Sequence, residues 1–167
     1  FLEELIRMVA AGSTETLPDT VLAMLQARIG RLPLELRRAL RAASIFGHSF
    51  SEQGLASLLD LRPEDPQLGD LLTTLRENEM IERQIENRHA GRSEYGFRHI
   101  LVREAAYALL TDAERRSLHR AAGLFLAEQP GPEPRVVAEH LLRGQEPARA
   151  VIWLMRAAQQ ALDGNDL

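Results

Sequence analysis

Apolar residues recur at three- and four-residue spacing along most of the chain, and this pattern predicts helices nearly throughout. Phe1, Leu2, Leu5, Ile6, Met8 and Val9 fall on one helical face, and Gly12 ends that run. Leu17-Pro18-Asp19 restarts a helix, because Pro18 is pre-set for a first turn. Its stripe is Val21, Leu22, Leu25 and Ile29, and Gly30 and Pro33 punctuate it. A third helix is expected from about Pro33 to Phe46, burying Leu36, Leu40, Ala43 and Ile45. Ser49-Phe50-Ser51-Glu52 fits a capping box and opens a short helix carrying Leu55, Leu58 and Leu59. Asp65-Pro66 starts another, with Leu68, Leu71, Leu72 and Leu75.

The period then changes. Met80 to Ile85 reads as a short strand, Arg88 to Glu94 as a polar turn around Gly91, and Tyr95 to Arg98 as a returning strand. Three helices followed by a β-hairpin over residues 33–98 is the outline of a winged helix. Helices resume at His99, with Ile100, Leu101, Ala105, Tyr107 and Ala108 on the apolar face. Thr111-Asp112-Ala113-Glu114 is a capping box for a helix reaching about Glu128. Pro130-Gly131-Pro132-Glu133-Pro134 breaks it. Two helices follow, at about 135–143 and 147–163, with Gly144 between them. The last is apolar nearly all round, which suits a helix covered on both sides. Such helical pairs stack as solenoid repeats.

Composition narrows the chemistry. The 167 residues contain no cysteine, which removes disulfides, thiolate nucleophiles and cysteine-ligated metals. All 20 basic residues are arginine, so neither a phosphate-loop lysine nor a Schiff-base lysine exists in this sequence. No apolar run approaches the roughly 20 residues of a membrane span. The opening Phe1-Leu2-Glu3-Glu4 has neither an initiator methionine nor a basic leader, so the sequence is read as a fragment of a longer cytoplasmic protein. Charge is uneven beneath the net value of -4. Residues 47–87 hold three arginines against nine acids, whereas the flanking segments are close to neutral. The helix from Asp65 to Glu79, which would face DNA in a helix-turn-helix protein, offers Arg76 against Asp65, Asp70, Glu77 and Glu79. Phosphate repulsion should win there, so DNA binding is not expected from it. Arg88 and Arg92 in the wing are the one feature in its favour.

No self-contained active site is legible. The five histidines (His48, His89, His99, His119 and His140) are scattered and are expected to be unpaired surface or capping residues. Carboxylates fall beside arginines on helix faces, as with Glu104 and Arg103 or Glu114 and Arg115, which reads as solvated charge. Arg115, Arg116 and Arg120 form a basic cluster, either paired within their helix or free to dock an acidic partner or a phosphate.

Several stretches resemble a known family. Phe1 to Ile6, Leu17-Pro18-Asp19-Thr20-Val21, Arg28 to Pro33, and Ala42 to Gly47 with Phe50 are similar to segments of the STAND class of AAA+-related signal-transduction ATPases. The most specific stretch is Tyr95-Gly96-Phe97-Arg98-His99-Ile100-Leu101-Val102-Arg103-Glu104-Ala105-Ala106-Tyr107, then Glu114-Arg115-Arg116 and Leu118-His119. It looks like the bacterial branch of that class, comprising transcriptional regulators and cyclase- or kinase-linked ATPases with tetratricopeptide (TPR)-like tails.

The resemblance implies a mainly α fold in three parts: the end of the ATPase lid helices over 1–31, a winged helix over 32–110, and a helical linker with the start of a TPR-like tail over 111–167. It implies a non-catalytic regulatory fragment whose winged helix is a nucleotide-state hinge. ATP or ADP would be bound by an upstream domain of the parent chain, and protein partners by the tail. In that class a histidine at the end of the winged helix touches the bound diphosphate. His99 occupies the matching position beside Arg98, although Arg98 and Ile100 replace the Met and Asp of the plant and animal relatives. From the residues alone, His99 equally well caps its own helix or packs on the hairpin. A DNA-binding winged-helix regulator is the alternative function.

Overall fold

The computed structural model of the chain describes residues 19–84 and 94–164. The predicted helix over 1–12, Leu17, Pro18, Arg88 and Arg92 lie outside them. About 70% of the described residues are helical, in eight α-helices with a small three-stranded antiparallel sheet. We number the elements α1 (Asp19–Gly30), α2 (Leu34–Ala43), β1 (Ser49–Ser51), α3 (Glu52–Leu59), α4 (Pro66–Glu77), β2 (Ile81–Gln84), β3 (Glu94–Phe97), α5 (Ile100–Ala108), α6 (Asp112–Ala127), α7 (Pro134–Arg143) and α8 (Pro147–Asp163).

Local chemistry accounts for most boundaries. The Asp65 carboxylate accepts the Gln67 N–H at 3.0 Å, and Pro66 sits in the first turn of α4. Thr111 and Glu114 close both halves of the capping box on α6. The expected third helix stops short. α2 ends at Ala43, and Ser44–Phe46 tightens into a 3-10 turn. Gly47 follows at φ 102, a conformation that L side chains rarely adopt.

The box expected at Ser49 is not the one used. Ser51 caps α3, its Oγ accepting the Gly54 N–H at 3.0 Å. Ser49 to Ser51 is instead an edge strand, pairing with β3 so that Phe50 stands opposite Tyr95. From this strand Phe50 is buried against Tyr95 and Phe97. β3 also pairs with β2, with Ile81 opposite Phe97, so the sheet order is β1-β3-β2.

One apolar core runs from Ile29 on α1, through Leu40, Leu55, Leu68, Leu75, Ile81 and Phe97, to Ala105 on α5 and Ala122 on α6. A smaller cluster of Val137, Leu141 and Ala150 packs with Leu124, Leu126, Ala127 and Trp153. α6 contributes to both. Close approach in the second part depends on glycine. A Cβ at Gly144 would lie 2.6 Å from the Arg120 backbone, and one at Gly123 would lie 2.9 Å from the Leu141 side chain.

α8 departs from expectation. Its buried contacts run along Ala150 and Trp153, while Val151, Ile152, Leu154, Met155 and Leu162 are exposed. Among the described residues it is covered on one side, not two. No described helix is long and apolar enough to cross a membrane.

Candidate functional site

The junction between β3 and α5 carries the two residues expected to sense nucleotide. His99 is the residue that caps α5, in extended conformation with φ -139 and ψ 137. Its side chain makes no capping bond, and the residue is exposed. Its backbone carbonyl accepts the Val102 N–H at 3.0 Å. Arg98 is exposed beside it and pairs with Glu79 at 3.1 Å, while its N–H reaches the Met80 carbonyl. The imidazole therefore does not cap its own helix.

The three arginines of α6 face different neighbours. Arg115 turns toward the end of α5, over the Tyr107 ring at 5.0 Å and 3.4 Å from Asp112. Arg120 reaches Glu146 at the start of α8, at 2.8 Å. Arg116 is exposed. Glu114 pairs not with Arg115 but with Arg41 of α2, at 2.5 Å. Its carboxyl is held below the usual carboxylate range, first by the hydrogen bonds from Thr111 and then by Arg41.

The structure also brings together two histidines that the sequence left apart. His119 on α6 is 2% exposed and His140 on α7 is 7% exposed. Their Nδ1 atoms lie 3.0 Å apart. The Nε2 atom of His119 stands 3.0 Å from the Tyr107 hydroxyl on α5. A hydrogen-bonded line thus crosses three helices through the interior. The expectation of unpaired surface or capping histidines is overturned for these two, because each occupies a core position of its helix. His119 precedes Ala122 by one turn, and His140 follows Val137 by one turn. A polar residue at a stripe position was the available signal.

Burial is the main reason that both imidazoles are held below the usual histidine range, at about 4. For His119 the neighbouring His140, Arg143, Arg103 and Arg115 push the same way. For His140, Glu139 opposes and Arg143 reinforces. Both rings are therefore neutral near pH 7. The pair lies at the foot of an open cleft of about 360 Å³ that His48, Ile100, Arg103, Glu139 and Arg143 also line. Arg103 is tied down there, its Nε donating to the Ser44 carbonyl at 2.9 Å and its Nη1 pairing with Glu104 at 2.6 Å. Tyr107 lies under the Arg103 guanidinium at 4.7 Å. Among the described residues, no group of three or more histidine and carboxylate side chains is placed to hold a metal ion.

No protein-family model, curated protein or solved structure matches the chain.

Proposed function

We propose that this chain is a non-catalytic regulatory and interaction segment of a multidomain STAND-type ATP-binding signalling protein. Residues 32–110 act as a winged helix that reports nucleotide state, and the helices after them pass the signal on or receive it. The observation that carries the reading is the path from α2 through β1, α3, α4, β2 and β3 in a sheet ordered β1-β3-β2, which leads directly into His99. Such an arrangement delivers the histidine at the end of a sheet strand and the start of a helix. A helix start favours an anion. The ring is free of capping duty and exposed, as a group that must reach a phosphate on a neighbouring domain requires. Imidazole donates one hydrogen bond to a phosphate oxygen when neutral and adds charge when protonated.

The successive helices α6, α7 and α8, joined by short connections and packed in one cluster, fit the start of a TPR-like tail. The exposed side of α8 repeats Ala148, Val151, Met155, Ala158 and Leu162 at three- and four-residue steps, the spacing at which another helix docks. Protein partners would meet the tail there.

The test uses the longer protein that contains both this segment and a nucleotide-binding domain. His99→Ala is expected to speed nucleotide exchange or to raise basal activity, while the present chain alone binds ATP and ADP negligibly. Unchanged exchange and activity in that variant would remove the sensor role.

A further inference from the structure

The contact between the two histidine Nδ1 atoms has room for one proton. A neutral pair carries two ring protons on four nitrogens. If His119 holds its proton on Nδ1, it donates to His140, and its Nε2 accepts the Tyr107 hydroxyl. If His140 donates instead, His119 holds its proton on Nε2 and gives it to the Tyr107 oxygen. Either arrangement satisfies both 3.0 Å contacts. One added proton is tolerated as well. His119 then donates from both nitrogens, to Tyr107 and to His140. A second added proton is not, because it sets N–H against N–H between two like charges, and the rings must part.

The surroundings make that event costly in the closed state. α5 brings Arg103 and Tyr107 to the pair, α6 brings Arg115, and α7 brings Arg143. His48, ahead of β1, shares the cleft. Glu139 is the single carboxylate acting on His140. Three guanidiniums thus face the pair, each in turn held by a carboxylate, Arg103 by Glu104, Arg115 by Asp112 and Arg143 by Glu139, and the open cleft lies beside the site.

The seam the pair spans is apolar around it. α7 packs along α6 through Val137 and Leu141 against Leu124, Leu126 and Ala127, and α8 follows through Ala150 and Trp153. The loop between α6 and α7 contains Pro130, Gly131 at φ 65, and Pro132. We propose that the Tyr107–His119–His140 line is an acid-released latch, in which proton uptake by the two imidazoles parts α7, and α8 with it, from α6. This device is independent of nucleotide, and it does not rest on the family reading above.

Linkage fixes the sign. Both rings bind protons more readily when the seam is open, so the closed seam is fully stabilised above about pH 6.5 and loses that stability as pH falls toward about 4. Where both protons are taken up on opening, the open fraction grows by about a hundredfold per pH unit. Glu114 loses its contribution as pH falls through the usual carboxylate range and below it, at the acid end of this window.

Trp153 is the one tryptophan and belongs to the cluster that opening uncovers, so its emission reports the event. The experiment follows Trp153 emission and far-ultraviolet circular dichroism of the whole chain from pH 7.5 to 3.5. It compares the natural sequence with the double variant His119→Leu/His140→Phe, and NMR follows the two imidazoles in the natural chain. The expected result is a red shift with its midpoint between pH 4 and 6, steeper than a one-proton transition and preceding loss of helical signal. In the double variant this transition moves down by at least one pH unit. A transition unmoved in the double variant overturns the latch. So does a natural chain with no emission change above pH 4, or rings that both titrate near pH 6.5. If the double variant fails to fold, the emission and ring titrations of the natural chain decide alone.

Discussion

Gly144 illustrates a residue whose role is absence. Its φ of -80 and ψ of 4 suit any amino acid, so conformational freedom is not the reason for glycine. The reason is space, since the backbone of Arg120 occupies the position a Cβ would take. Gly144→Ala is therefore expected to cost about 1–3 kcal/mol as α6 and the end of α7 are pushed apart. Urea unfolding followed through Trp153 measures it, and an unchanged midpoint contradicts the close approach. Legibility at this scale depends on sequence distance. Thr111 and Glu114 announce their capping box because the bond closes within one turn. The arrival of Arg41 on the same carboxylate is invisible in sequence, since it depends on how α2 packs against α6. The same holds for His119 and His140, which meet only after two helices have docked.

At the scale of elements, α8 separates what a hydrophobic pattern says from what it leaves open. The pattern correctly marks a helix with apolar residues around much of its circumference. It does not say which side is covered. Ala150 is fully buried, whereas Met155 is 68% exposed. Ala150→Leu is accordingly expected to cost about 1–3 kcal/mol through overpacking, and Met155→Gln less than about 0.5 kcal/mol. Thermal unfolding of the two variants distinguishes the sides, and equal shifts contradict the one-sided packing. β1 shows the complementary limit. Ser49-Phe50-Ser51-Glu52 has the letters of a capping box, yet sheet pairing by Phe50 takes the first serine and leaves the cap to Ser51. Tertiary contact overrode a local motif, whereas the α4 start at Asp65-Pro66 stood because nothing competed for those groups.

At the scale of the molecule, the order of helices and hairpin was readable because each element carries its own period and stop signal. The added edge strand and the continuity of the core into α6 were not, since both arise from contacts between distant segments. Charge distribution was readable throughout. α4 exposes Asp70 and Glu77 around Arg76, so duplex DNA should gain no affinity from that face. A mobility-shift assay at about 50 mM salt is expected to show free DNA only, and a retarded band that fades steeply as salt rises would revive the DNA-binding alternative. The sixteen residues of α6 also set how the chain can be divided. At about 1.5 Å per residue this helix is some 24 Å long, with Leu118, Ala121 and Ala122 in the larger core and Leu124, Leu126 and Ala127, toward its end, in the smaller one. Expression of a shorter piece ending near residue 110 would strip Ala122 from the larger core, and one starting there would carry an uncovered apolar flank, so neither half makes a well-behaved reagent without the other.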